Sequence, residues 1–166
     1  MFAIRLSKVV MTGGLSIWGL LVVLGNTTDY GTNWAFVQHV LAMDTIFPDS
    51  TLKWRAITDP EYQRTAYLII IVTEGLTALA FLIASVAMAA RLRAPTEQFR
   101  RARALTAWGV LLGFGLYFIG FMAIGAEWFA MWQSKTWNGQ QAAFMFVAVI
   151  LAVGIYVLLD NDGSSD

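Results

Sequence analysis

Four long apolar segments constrain this chain more than any other feature of its sequence. They cover about residues 6–25, 65–90, 105–126 and 142–159. Each is close to the roughly 17–25 apolar residues that a helix needs to cross about 30 Å of hydrocarbon. A backbone exposed to lipid must satisfy its own hydrogen bonds, which favours helices. The sequence therefore predicts an all-α membrane protein with four transmembrane helices in a single domain, 1–159.

The composition agrees with a membrane protein and argues against several other classes. The chain is 58% hydrophobic and only 13% charged, whereas a soluble domain is about 25% charged. Its formal net charge is zero, which argues against nucleic acid as a partner. The absence of cysteine excludes disulfides, thiolate metal sites and cysteine catalysis. No good cleavage site follows the first apolar segment, so we expect a retained helix rather than a signal peptide.

Basic residues predict the orientation of the chain. Arg5 and Lys8 precede the first segment, and five arginines against one glutamate lie between the second and third. Lysine and arginine concentrate on the cytoplasmic side of a membrane. We therefore expect a multi-pass protein of the bacterial inner membrane with both termini cytoplasmic. The acidic tail 160–166 is predicted to be disordered, and loops 26–64 and 127–141 are predicted to lie outside.

The two outer loops are predicted to form one cap over the helix ends. The first is about forty residues long, which is too long for a plain connection. Residues 34–43 have the spacing of a short interfacial helix, and Asp59 followed by Pro60 resembles the start of another helix. Tryptophans in both loops fit an aromatic belt at the membrane interface, or a cup that stacks on sugars, quinones or cations.

The candidate ligand- or partner-binding residues lie mostly in this cap. They are Asn33, Trp34, His39, Asp44, Trp54, Arg55, Glu127, Trp128, Trp132, Gln133, Trp137 and Asn138. His39 is the only histidine, which excludes a bis-histidine haem within one chain. His39, Asp44 and Glu127 are weak candidates for a zinc, iron or manganese site, although a spacing of five residues does not place His39 and Asp44 on one helix face. A hydrogen-bonded interfacial histidine is the alternative.

Glu74 lies inside the second apolar segment, about nine residues or roughly 14 Å from its outer end, which predicts a position near the membrane centre. An acid there costs on the order of 2.5–3.5 kcal/mol and should have a partner. Thr73, Thr77 and Tyr117 are the candidate partners. Glu74 is either a proton or cation site or a structural residue that fixes helix packing.

Glycines in the third segment form a stripe of small residues. Gly109 and Gly113 make a GxxxG pair, and Gly120 follows. Small residues let helix backbones approach closely in lipid. The stripe fits either packing inside the four-helix unit or a contact with another protein.

Three stretches resemble a known family: NTTDYGTNWAFVQHVLAMDTIFPDS, LKWRAITDP and IGAEWFAMWQSKTWNGQQAAF. The chain is similar over nearly its whole length to bacterial predicted small integral membrane proteins, a family whose function is unknown. The resemblance implies four helices in a bacterial inner membrane and implies no activity. The matching polar positions are Asn26, Asp29, Tyr30, Asn33, His39, Asp44, Trp54, Arg55, Glu74, Glu127, Trp128, Trp132, Gln133, Trp137 and Asn138.

Three functions fit these observations. The small size and the absence of a visible nucleophile–base pair favour a non-enzymatic structural or accessory subunit that associates with a membrane complex or with itself. The alternative is a protein that binds or transports a small ligand, lipid headgroup or quinone through the aromatic cup, with Glu74 and Tyr117 as intramembrane polar groups. The second alternative is a metal-binding redox or enzymatic subunit. No cofactor is predicted, and metal or quinone enters only through these alternatives.

Overall fold

Helices account for almost all regular structure in residues 2–159, the part of the chain that this computed structural model describes. They are α1 (Phe2–Thr28), α2 (Tyr30–Ala42), α3 (Pro60–Ala89), α4 (Thr96–Ala104), α5 (Thr106–Phe114) and α6 (Gln140–Leu158). α5 continues as a π-helix over Gly115–Trp128, and short 3-10 turns cover Lys53–Arg55 and Met131–Gln133. The described residues contain no β-strand. The acidic tail considered above lies outside the described residues.

Four helices in this range are long and apolar enough to cross a membrane. They are Phe2–Thr28, Pro60–Ala89, Thr96–Trp128 and Gln140–Leu158. The third is continuous from α4 through α5 into the π-helix. The predicted class, an all-α membrane protein with four spanning helices, is therefore confirmed.

The four spanning helices pack as an antiparallel ring in the order α1, α3, α5 and α6. The direction of the first pair is shown by two contacts. Ser85 Oγ donates to the Val9 carbonyl at 2.9 Å, and Gly19 faces Ala78 further along both helices. As a result, α2 and residues 43–59 and 129–139 gather at one end of the bundle, which we call the loop end. The opposite end, with Phe2, Leu158 and residues 90–95, is the terminal end.

The predicted glycine stripe lies inside the bundle. A Cβ atom on Gly109 would lie 2.6 Å from the ring of Phe81, and one on Gly113 would lie 2.8 Å from Ile150. These two glycines therefore allow α5 to approach α3 and α6. Of the two explanations offered by the sequence, packing within the four-helix unit applies to Gly109 and Gly113.

The π-helix follows a repeat of glycines. Gly115, Gly120 and Gly125 are spaced by five residues, which is the spacing of the i→i+5 hydrogen bonds of a π-helix. A Cβ on Gly125 would lie 3.5 Å from the carbonyl oxygen of Gly120. An uninterrupted α-helix was predicted over 105–126, and the wider turns of the π-helix were not predicted.

Basic side chains that were used to predict orientation are buried at the terminal end. Arg5 donates to the carbonyls of Leu92 and Ala94 at 3.2 and 2.6 Å. Lys8 and Arg103 both donate to the carbonyl of Leu159, at 2.9 and 2.8 Å. These cations satisfy backbone carbonyls where the helices end, so that they also hold the bundle together.

The helix ends at the loop end differ from the predicted loop limits. α1 extends to Thr28 and α3 begins at Pro60, so that the connection between them is shorter than the predicted loop 26–64. Asp59 Oδ1 accepts the Glu61 backbone N–H at 2.8 Å, which caps α3 as its Asp-Pro start suggested. Between them, α2 starts at Tyr30, four residues before the predicted helix.

Candidate functional site

Glu74 lies on α3, where its side chain is buried against the last turns of α1. Its side chain is 5% exposed, and Asn26 Nδ2 donates to its Oε2 at 2.6 Å. Tyr67, one of the most deeply buried residues, donates its hydroxyl to the Asn26 carbonyl at 2.9 Å. Asn26 is therefore fixed from two sides, and its amide is held toward the acid.

The structure corrects one expectation about Glu74. The hydroxyls of Thr73 and Thr77 donate to carbonyls one turn earlier in α3, to Ile69 and Thr73 respectively, and not to the carboxyl group. The position of Glu74 near the membrane centre stays a prediction. Asn26, the partner of Glu74, is only two residues from the end of α1, because α3 extends beyond α1 at this end.

Glu74 faces a cavity of about 260 Å³, which we call the Glu74 cavity. All four spanning segments and α2 contribute to its wall. The polar residues at its surface are Asn26, Asn33, Tyr67, Glu74 and Tyr117. The aromatic residues without a polar group are Phe36, Phe121 and Phe146. Its described wall contains no lysine, arginine or histidine. Glu74 is therefore the one acidic or basic residue in that described wall.

Tyr117 and Phe121 reach the cavity from the π-helix. The Tyr117 ring lies 6.0 Å from that of Phe121 and 5.1 Å from that of Phe146, measured between centroids. Tyr117 is 4% exposed, and Phe36 of α2 lies 6.4 Å from Phe121 across the loop end. The predicted intramembrane pair Glu74 and Tyr117 therefore lines one cavity, within a ring of aromatic side chains.

Sequence reasoning missed Tyr67 and gave Asn26 no role in the site. Tyr67 precedes Glu74 by seven residues, a spacing that places both on one face of an α-helix. Asn26 is the first polar residue after the first apolar segment. These two signals point to the site, but which residue of α1 meets Glu74 depends on how far α3 extends past α1.

The two loops at the loop end bind to each other. Thr45 and Ser134 join their hydroxyls at 2.8 Å, and the Phe47 backbone N–H donates to Gln133 Oε1 at 3.2 Å. Gln133 is 9% exposed, so this predicted cup residue serves to join the loops rather than to line an open surface. Ser134 also accepts the backbone N–H of Trp137 at 2.9 Å.

His39 joins α2 to the second loop. Its ring stacks on Trp137 with 4.6 Å between centroids, and its Nδ1 lies 2.8 Å from Asp44 Oδ2. The five-residue spacing permits this contact because Met43, with φ of 51°, ends α2 and turns the chain back. Within residues 2–159, no group of three or more His, Asp or Glu side chains is placed to hold a metal ion. The proposed set of His39, Asp44 and Glu127 is not brought together.

Several predicted cup residues form an exposed aromatic cluster instead of a cavity. Trp54 and Trp128 meet edge to face at 5.9 Å, and they are 72% and 46% exposed. Arg55 lies 4.6 Å above the Trp128 ring and donates to the Trp128 carbonyl at 3.2 Å. Trp132, also exposed, packs edge to face on Phe47 at 5.9 Å.

The remaining predicted residues are separated from one another. Trp34 packs at 6.1 Å from Tyr67, behind the Glu74 cavity. Asn33 lines that cavity, and its Nδ2 donates to the Asp29 carbonyl at 3.3 Å. Asn138 accepts the Gln140 backbone N–H at 3.0 Å beside the start of α6, while Glu127 is exposed.

A family profile described as "Predicted small integral membrane protein (DUF2165)" matches residues 4–160 of this chain. The chain belongs to this family. The match confirms the resemblance of the sequence to small integral membrane proteins, and the family description assigns no activity. DUF2165 membership agrees with the four spanning helices and with a lipid bilayer as the surroundings of the protein. No curated protein and no solved structure matches the chain.

Proposed function

We propose that this protein binds a small organic cation with an apolar body in the Glu74 cavity. The observation that supports the proposal is an acid, 5% exposed, on a cavity whose described wall offers no basic partner. A charge in an apolar environment requires a partner, and a ligand cation supplies one. The aromatic wall suits the same ligand, because cations are attracted to ring faces.

The cavity limits the size of the ligand. Its volume of about 260 Å³ is slightly below the range of typical ligand pockets, which are roughly 300–1,000 Å³. Asn26 holds one oxygen of the carboxyl group and fixes its direction. The proposed ligand therefore carries one ammonium group against Glu74 and a body of about one ring against Tyr117, Phe121 and Phe146.

Binding of benzylamine and of its neutral analogue benzyl alcohol to the purified protein tests this proposal. In calorimetry, we expect benzylamine to bind to the unaltered protein. Glu74→Gln should lower the affinity for benzylamine at least tenfold, which corresponds to about 1.4 kcal/mol. The control is Glu127→Gln, which removes an exposed acid outside the cavity and should leave affinity unchanged. Equal affinities of Glu74→Gln and the unaltered protein contradict the proposal. Equal binding of a neutral quinone to both proteins favours the quinone alternative.

A structural or accessory role is the second candidate, and the exposed aromatic cluster favours it. Trp54 and Trp128 pack on each other and on Arg55 although both are exposed. Tryptophan and arginine are enriched among the residues that contribute most to protein interfaces. Purification from native membranes in mild detergent should then give a complex or an oligomer that Trp54→Ala/Trp128→Ala dissociates. A monomer without partners contradicts this role.

The same preparations test the remaining expectations. We propose a bacterial inner membrane with both termini cytoplasmic, on the basis of the arginine-rich terminal end. A reporter that is active only in the cytoplasm should be active when it is fused to either terminus. A reporter that is active only outside the cytoplasm should be inactive at both termini. Elemental analysis of the purified protein tests the metal-binding alternative, for which a stoichiometric metal is required.

A further inference from the structure

A groove opens at the terminal end, on the opposite side of the bundle from the Glu74 cavity. It encloses about 370 Å³ between the end of α3 and α4. We call it the arginine groove. It is lined by Ala87, Arg91, Gln98, Arg101, Ala102 and Leu105. The groove combines two guanidinium groups and an amide with an apolar floor.

Both arginines in the groove keep hydrogen-bond donors for a ligand. Arg91 Nη1 donates to the Ala87 carbonyl at 3.0 Å, and Arg101 Nε donates to Glu97 Oε1 at 2.9 Å. A guanidinium group has five N–H donors, so each contact uses a minority of them. The Arg101 side chain is 80% exposed. Both side chains line the groove, and among the contacts of the described residues each guanidinium group keeps donors without a protein partner.

The positive charge of this region exceeds its negative charge. Glu97 is the only acid between α3 and α5, and it binds Arg100 at 2.6 Å as well as Arg101. Five arginines lie in the same stretch. Planar guanidinium groups match the geometry of phosphate oxygens. The arginine groove is therefore suited to a phosphate-bearing anion.

Exposed apolar side chains continue from Leu105 of the groove into α5. Leu105 is 37% exposed and Trp108, three residues later, is 64% exposed. A spacing of three residues places both on the same helical face. Exposed tryptophans of spanning helices concentrate at the membrane–water interface. In a bilayer whose interface lies at Trp108, the two arginines would lie at headgroup level and Leu105 and Trp108 would face the acyl chains.

We propose that the arginine groove binds the headgroup of an anionic phospholipid. Arg91 and Arg101 contact the phosphate, Gln98 contacts the polar headgroup, and one acyl chain follows Leu105 and Trp108. A free phosphate ion satisfies the arginines but not the apolar floor, which is why the ligand is a lipid. The site lies at the end of the bundle away from Glu74 and does not depend on the function proposed for that cavity.

Native mass spectrometry of the full-length protein in detergent tests this site. The probes are dioctanoylphosphatidylglycerol, dioctanoylphosphatidylcholine and glycerol phosphate. We expect the phosphatidylglycerol to bind at least tenfold more tightly than either of the others. Arg91→Gln/Arg101→Gln should weaken it about tenfold or more, since one arginine near a membrane surface contributes on the order of fivefold.

The matched control is Lys53→Gln/Arg64→Gln, which removes the same charge from exposed residues at the loop end, more than a Debye length from the groove, and should change the affinity less than about twofold. Arg91→Lys/Arg101→Lys keeps the charge but not the guanidinium geometry; if the glutamine variant fails to fold, this variant should still bind the phosphatidylglycerol more weakly than the unaltered protein, and equal affinity overturns the role of the two guanidinium groups. An equal loss in the control, or equal binding of the choline lipid, overturns the proposal. Equal binding of glycerol phosphate overturns the assignment to a lipid and indicates an anion site.

Discussion

Replacement of Gly109 by alanine tests the packing of α5 against α3. An added Cβ would lie 2.6 Å from two ring carbons of Phe81 and 2.9 Å from a third. The Phe81 ring is 1% exposed and belongs to the main core cluster, so that it has little room to move. We therefore expect Gly109→Ala to destabilise the protein.

The magnitude follows from two opposing contributions. Alanine favours a helix over glycine by up to about 1 kcal/mol. Overpacking of a well-packed core costs about 1–3 kcal/mol. The expected net loss of unfolding free energy is about 1–2 kcal/mol, because the contact is with a buried ring and not with the end of a flexible side chain.

Gly14→Ala is the matched control on α1. No heavy atom outside its own helix lies within 4 Å of its added Cβ, so only the helix contribution remains. We expect Gly14→Ala to be neutral or to stabilise by up to about 1 kcal/mol. The assay is equilibrium unfolding in mixed micelles of increasing dodecyl sulfate content, followed by circular dichroism. If Gly109→Ala is as stable as Gly14→Ala, the close packing of α5 on α3 is wrong.

Two further variants test the Glu74 site and the junction of the loops. Asn26→Ala removes the only hydrogen-bond donor that Glu74 has among the described residues, and should cost about 1–3 kcal/mol in the same unfolding assay. An unchanged midpoint contradicts this contact. Ser134→Ala removes the 2.8 Å bond to Thr45 and the acceptor of the Trp137 N–H, and should accelerate hydrogen exchange at Trp137. Exchange at Ser85, in the core of α3, serves as the control and should not change.

Length and hydropathy were sufficient to predict the four spanning helices, because lipid allows few other structures for such segments. The start of α3 was also predictable, since Asp59 and Pro60 are local signals of a helix N-terminus. The π-helix was not predicted, because hydrophobic patterns are usually compared with a 3.6-residue period. The five-residue spacing of Gly115, Gly120 and Gly125 was nevertheless present in the sequence.

The candidate site was predictable only in part. Glu74 and Tyr117 could be recognised because polar groups are rare in apolar segments. Their common cavity depends on the order of helices around the ring, which the sequence does not specify. The contact of His39 with Asp44 depends on the left-handed conformation of Met43, a residue without a strong preference for it. Local sequence signals predict neither the order of the helices around the ring nor the backbone conformation of Met43.

The ring order α1, α3, α5 and α6 also has a consequence for biosynthesis. α1 and α3 form one antiparallel hairpin, and α5 and α6 form the other. The wall of the Glu74 cavity takes residues from both hairpins, among them Asn26 and Tyr67 from the first and Tyr117 and Phe146 from the second. The helices of each hairpin are long and apolar enough to cross a membrane, whereas a complete cavity wall requires both hairpins. Separate expression of the two hairpins should therefore yield two inserted fragments, and the benzylamine binding proposed above should require their co-expression.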